Sequence, residues 1–141
     1  MLENFNIWNK LKSYIHKDKH RIHFRQGEIW FIHIGQNIGY EIFGKSEKFL
    51  RPVFVFRKLN KDFFLGIPLT SKLKNNKFYF EIDLKNKKSA LVLSQIRTFD
   101  SKRLSYKTGN INKKVFEKIE NKFLEVFKLT PKNGEATFSK N

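Results

Sequence analysis

Ile29-Trp30-Phe31-Ile32-His33-Ile34 and, beyond the stretch 35–50, Arg51-Pro52-Val53-Phe54-Val55-Phe56 decide the fold of this chain. Both runs are built from β-branched and aromatic residues, which pack well on a pleated surface. Pro52 carries no N–H, so it belongs at the start of its strand and not at the centre. Working outward, residues 63–69 predict a third strand that ends at Pro68-Leu69. Phe78, Phe80 and Ile82 alternate with Tyr79 and Glu81, the pattern of a half-buried strand. Residues 90–96 are nearly all apolar, as in a strand covered on both faces. Several short antiparallel strands of this kind predict a mainly β chain. They predict a compact barrel-like sheet with helices packed on it.

Helices are expected at both ends. Ile7, Leu11 and Ile15 recur at helical spacing, with Trp8 and Tyr14 flanking that face. Lys17 to His23 then turns basic and polar, so residues 1–24 are expected to form a helical appendage and its connector. Near the C-terminus, Asn112 is placed to cap a helix, and Ile111 with Phe116 has the spacing of a hydrophobic staple. Val115, Ile119, Phe123 and Val126 follow on one face. Pro131 is expected to stop the helix, leaving 130–141 as a disordered tail.

The chain has 141 residues, enough for one domain with short appendages, and 40 % hydrophobic residues support a true core. No apolar run is long enough to cross a membrane, and Met1-Leu2-Glu3-Asn4 lacks the start of a signal peptide. Cys is absent, which removes disulfide and thiolate chemistry and is compatible with a reducing cytosol. A cytoplasmic location is expected. The formal net charge is +16, which favours polyanionic partners such as nucleic acid or an acidic protein. Lys-rich composition also follows from biased coding, so the charge alone does not choose between partners.

The catalytic inventory is thin. His16 and His20 stand four residues apart but lack a third ligand at useful spacing, and a solvated polar face explains them. His33, between Ile32 and Ile34, is expected to face solvent or a loop. No nucleophile elbow, phosphate-binding glycine loop or carboxylate pair is present. What remains is arginine and hydroxyl chemistry at strand ends. Arg51 leaves a long loop with a rigid fork that matches phosphate oxygens. Thr70 and Ser71 can donate to the same kind of anion. A surface ion pair for Arg51 and a turn role for Thr70 are the plain alternatives.

Five segments, in order, resemble the MazF/PemK family of type II toxin–antitoxin ribonucleases. They are Arg25-Gln26-Gly27-Glu28-Ile29-Trp30, Gly39-Tyr40-Glu41, Arg51-Pro52-Val53, Pro68-Leu69-Thr70-Ser71, and Gln95-Ile96-Arg97-Thr98 with Asp100 and Arg103-Leu104. The resemblance covers residues 25–129, which would make 1–24 an extension and 130–141 a tail. It implies an SH3-like barrel of about five to seven antiparallel strands with a C-terminal helix, usually as a homodimer. It also implies cleavage of single-stranded RNA without metal or cofactor, by attack of the RNA 2′-hydroxyl on its own phosphodiester. Carried over by motif, Arg51 would stabilise the transition state and Thr70 would hydrogen-bond the scissile phosphate. Glu41 would position substrate, and Ser71, Gln95, Arg97, Lys45, Lys48 and Lys72 are further candidates for RNA contact. An acidic antitoxin is the implied protein partner.

The chain departs from the family in three places. The loop from Glu41 to Arg51 is longer than usual, the link from Phe56 to Phe63 is shorter, and the basic extension is not a general family feature. Two other functions share these features: a gyrase-type toxin of the same fold that binds a protein target, and a non-catalytic basic RNA-binding module. Arg51 and Thr70 in their motif positions favour the ribonuclease over the first.

Overall fold

β-Branched and aromatic runs separated by short turns zip into antiparallel hairpins, and here they form one sheet. The computed structural model describes residues 2–129. A first helix α1 (Leu2–Lys17) precedes seven strands: β1 (Glu28–His33), β2 (Leu50–Asn60), β3 (Phe63–Thr70), β4 (Tyr79–Leu84), β5 (Lys87–Val92), β6 (Arg97–Asp100) and β7 (Leu104–Asn110). A second helix α2 (Lys113–Val126) follows. The spatial order is β4-β5-β3-β2-β1-β7, with β6 also paired to β3, and the all-antiparallel sheet curls into a half-barrel. No helix of the described residues is long and apolar enough to cross a membrane.

The Val53–Phe56 run is apolar throughout because both faces of β2 are covered. Val53 and Val55 point into an inner cluster with Trp30, Ile32, Phe64 and Phe99. Phe54 and Phe56 point the other way, beneath α2. There Phe116 lies 5.3 Å from the Phe54 ring and 5.9 Å from that of Phe56. The α2 face is the one its periodicity predicts. Ile119 is fully buried, and Val115, Phe123 and Val126 pack around it. Asn112 caps the helix by accepting from the Val115 N–H at 2.9 Å.

Three expectations need correction. The run 90–96 is not one strand: β5 ends at Val92, a 3₁₀ turn covers Leu93–Gln95, and β6 begins at Arg97. The cause lies in β3, which pairs with β6 over Phe63–Gly66 and with β5 at Leu69-Thr70. Pro68 stands at that change of partner, where a central strand tolerates the loss of an N–H. The second strand does not end at Phe56. β2 continues to Asn60, and Lys61-Asp62 turns directly into β3. Helix α2 ends at Val126, ahead of Pro131. Lys128 takes a left-handed φ of 54°, and the N–H groups of Lys128 and Leu129 donate to Glu125 and Leu124. That is a Schellman ending formed without glycine. Pro131 and the 130–141 tail lie outside the described residues.

Helix α1 docks with a face rotated from the expected one. Trp8, Leu11 and Ile15 are half-buried, while Ile7 is 45 % exposed. Trp8 packs edge-on to Phe49 at 5.5 Å and lies so close to Gly35 that a Cβ there would fall 1.7 Å from the indole. The connector is anchored too. Arg21 pairs with Asp100 at 2.6 Å, and Phe24 is buried in the inner cluster.

Glu28 ties the start of β1 to its surroundings. Its Oε1 accepts from the Arg25 N–H at 2.6 Å and from Trp30 Nε1 at 3.0 Å, and Lys107 Nζ lies 3.1 Å from Oε2. Burial alone would raise its pKa. The hydrogen bonds from Trp30, Arg25 and Lys107 outweigh burial and hold it below the usual carboxylate range. Asp100 behaves likewise: burial opposes ionisation, and Arg21 and the Lys102 N–H prevail. Both folded values are depressed. Their stabilisation is therefore complete above the ordinary carboxylate pKa of about 4 and is lost as pH falls through the lower folded values. Glu28→Ala leaves two donors without an acceptor and is expected to cost about 3 kcal/mol in urea unfolding at pH 7. The deficit should shrink as the wild type is titrated below about pH 4. A cost that does not change between pH 7 and pH 3 would show that the Glu28 charge plays no part.

Candidate functional site

The sheet brings the polar strand ends together at one end of the barrel. Arg51 sits one residue into β2 opposite Ile32 of β1, on the inner-cluster side. Its guanidinium is half-buried and fixed at two points. Nε donates to the Phe43 carbonyl at 2.8 Å, and Nη1 donates to the Leu69 carbonyl at 2.9 Å. The remaining N–H groups find no protein acceptor among the described residues. Burial lowers the Arg51 pKa, with no carboxylate to offset it. A half-buried cation without a counter-charge is a site that an arriving anion stabilises.

Arg51 lines an open cavity of about 310 Å³ with Thr70, Ser71, Lys45, Ser46, Leu50, Leu69, Phe31, Pro52 and Tyr106. Thr70 ends β3. Its Oγ1 accepts from the Lys72 N–H at 3.1 Å, which orients the hydroxyl and leaves its proton available to donate. The plain turn role of Thr70 and its proposed role are therefore compatible.

Glu41, Gln95 and Arg97 line a second, smaller cavity of about 220 Å³ with Ile42, Pro68 and Phe99. Gln95 holds the 38–43 segment in place. Its Oε1 accepts from the Ile42 N–H at 3.1 Å and its Nε2 donates to the Tyr40 carbonyl at 2.9 Å. Glu41 Oε1 accepts from the Ile38 N–H at 3.2 Å, closing a turn. Burial lowers the Arg97 pKa, and the charge of Glu41 on the same cavity partly restores it. Arg97 also lies 4.6 Å over the Phe99 ring. Phe43 links the two cavities: the segment that Gln95 clamps is the one whose carbonyl holds Arg51.

Lys48 and Lys72 line neither cavity. The Lys48 carbonyl instead accepts from His33 Nδ1 at 2.6 Å, so His33 faces a loop, as its position in the strand predicts. The long loop before Arg51 is folded, not open. Lys45 and Leu50 exchange backbone hydrogen bonds of 2.9 and 3.0 Å, and Ser46 and Phe49 take positive φ to make the turn. Phe49 at φ 51° is an unusual conformation for a bulky residue. Its burial beneath Trp8 and its carbonyl bond to the Ile34 N–H at 2.8 Å hold it there. His20 pairs with Asp18 and not with His16, and no group of three metal-ligating side chains stands together among the described residues.

Sequence reasoning missed Phe31, Pro52 and Tyr106 as lining residues. The signal was present at Phe31, an aromatic residue on the parity of β1 opposite Trp30 and Ile32.

Comparison with known proteins identifies the family and the fold. Residues 25–127 match the family described as the PemK-like, MazF-like toxin of type II toxin–antitoxin systems. No curated protein matches the chain in sequence. Among solved structures, the fold is similar to MazF (Form-I) from Deinococcus radiodurans, with a TM-score of 0.59 and 15 % identity over 76 % of this chain and 98 % of that one. Toxin MazF-mt6 of Mycobacterium tuberculosis gives 0.56 and 12 % identity over 72 % and 96 %. A chain of the D. radiodurans MazE-MazF structure (Form-II) gives 0.55 and 14 % over 75 % and 96 %. At such identities the structures speak to the fold, while the family match spans most of the chain. This chain belongs to the PemK-like, MazF-like toxins of type II toxin–antitoxin systems.

Proposed function

We propose that this toxin is an endoribonuclease that cuts single-stranded RNA by transesterification, with Arg51 and Thr70 as its catalytic residues. The observation that carries the reading is the Arg51 guanidinium, pinned by the Phe43 and Leu69 carbonyls in the cavity that Thr70 and Ser71 share. In the reaction the RNA 2′-oxygen bonds to the adjacent phosphorus and the bond from phosphorus to the 5′-oxygen breaks. The 2′-hydroxyl proton is given up and the 5′-oxygen gains one, leaving a 2′,3′-cyclic phosphate and a 5′-hydroxyl. Negative charge grows on the non-bridging oxygens during attack. Donors already fixed in place stabilise that charge more than the ground state. The nucleophile comes from the substrate, so the lack of an activated Ser, Cys or His is no obstacle. Glu41, Gln95 and Arg97 then shape the neighbouring part of the RNA path. Lys45 adds charge at the cavity, and Lys48 and Lys72 act farther along the backbone.

The experiment is to incubate the full chain with long mixed-sequence RNA in excess chelator and map the new ends. Cleavage with 2′,3′-cyclic phosphate ends is expected. Intact RNA, or 3′-hydroxyl ends, would reject the reading.

We further propose that residues 25–129 act as the toxin domain with 1–24 as an extension, in the cytoplasm, as a homodimer neutralised by an acidic antitoxin. The structural likeness to a chain of a MazE-MazF structure, together with the charge of +16, supports the antitoxin. Affinity for the antitoxin is expected to fall at least about ten-fold between 0.05 and 0.5 M salt, because screening shortens electrostatic reach. Salt-independent binding would point instead to apolar docking.

A further inference from the structure

We propose that the Pro52–Phe31–Tyr106 row is a stacking subsite for the nucleobase next to the phosphate held by Arg51. The proposal rests on the RNA-cutting reading and adds to it a base-binding surface. Phe31 of β1 is in register with Pro52 of β2 on one side and with Tyr106 of β7 on the other. The three rings therefore lie side by side across three strands. The Phe31 and Tyr106 rings are stacked, with centroids 4.8 Å apart and planes within 23°. Farther along the same face, α2 covers Ile29 and Phe54. The cover stops short of Phe31, which is only half-buried, and Tyr106 is 49 % exposed.

Exposed aromatic surface beside a cationic centre suits single-stranded nucleic acid. Every base offers a flat π-face, and its phosphate must lie within one nucleotide of that face. All three rings line the cavity that holds Arg51, Thr70 and Ser71. At about 310 Å³ the cavity is near the lower limit for small-molecule sites, the scale of a nucleotide and not of a protein segment. Stacking tolerates any base, so this subsite contributes affinity and alignment more than choice of sequence.

The test uses the full chain and a short 2′-O-methyl RNA, whose blocked hydroxyl prevents cutting, with 2-aminopurine at successive positions. Quenching on binding is expected at one position beside the Arg51-bound phosphate. An abasic residue at that position should weaken wild-type binding about ten-fold. Tyr106→Ala should bind the base-containing strand about ten-fold more weakly and no longer distinguish it from the abasic one, and Tyr106→Trp should restore the difference. Equal abasic penalties in wild type and Tyr106→Ala would overturn the proposal. So would a Tyr106→Ala protein that loses a wild-type dimer in sedimentation while keeping the abasic penalty, since the row would then belong to a contact between two copies. If the base dependence holds but no RNA is cut, the ribonuclease reading fails and the subsite stands. Cleavage without base dependence gives the reverse result.

Discussion

Arg51→Ala is expected to lower cleavage of single-stranded RNA by about three orders of magnitude or more, the scale of an arginine that stabilises a phosphoryl transition state. The loss should appear in kcat, with only a modest change in RNA affinity, because a +16 chain retains many other contacts to the backbone. Arg51→Lys separates charge from geometry. A lysine head has one nitrogen, and it cannot donate to the Phe43 and Leu69 carbonyls while also presenting a fork to a phosphate. It should therefore recover less than about a tenth of the activity, although the charge is kept. Circular dichroism and thermal unfolding check that both variants fold. Full cleavage by folded Arg51→Ala would remove Arg51 from the mechanism.

The half-barrel and its closing helix were legible because their patterns are local. Asn112, Ile111 and the Val115–Val126 face define α2 within its own fifteen or so residues. The strands β1 to β4 announce themselves by composition, and the five motif segments, in order, mark Arg51 and Thr70 as candidates. What escaped depends on long-range pairing. Leu93 and Ile96 carry the apolar run on to either side of Ser94-Gln95, and the switch of β3 from β6 to β5 is what turns Leu93–Gln95 into a 3₁₀ break. β7 carries Ser105, Lys107 and Thr108 and is too polar to stand out alone; its partner β1 makes it a strand. The α1 face also shifts by tertiary contact, since Trp8 finds Gly35 and Phe49 and leaves Ile7 in solvent. In the site, Gln95 stands in the sequence as a candidate for RNA contact, and its bonds to Tyr40 and Ile42 make it a brace of the 38–43 segment.

Gly44→Ala is expected to cost about a hundred-fold in kcat while leaving the barrel folded. A Cβ at this position would fall 1.8 Å from the Phe49 carbonyl oxygen and 2.5 Å from the Leu50 nitrogen, both backbone atoms with little room to give. Leu50 opens β2, whose pairing with β1 and β3 holds it, so the strain is expected to be relieved on the loop side of the contact. Gly44 donates to the Ile34 carbonyl at 2.7 Å, and its chain neighbours are Phe43, which holds Arg51, and Lys45, which pairs with Leu50. Any shift that frees the new methyl therefore moves the Phe43 carbonyl or opens the Lys45–Leu50 pair, and the Arg51 fork loses one of its two fixed points. A displacement of about 1 Å in a positioning group is enough for a hundred-fold loss. Helix α1 acts on the same loop from outside, since Trp8 rests on Gly35 and on the strained Phe49. Trp8→Ala should thus move activity in the same direction by a smaller factor, and the two effects should be less than additive because they act on one loop. Single-turnover cleavage of one RNA by the two single variants and the double variant provides the check. Wild-type kcat in folded Gly44→Ala would show that the loop does not set the position of Arg51.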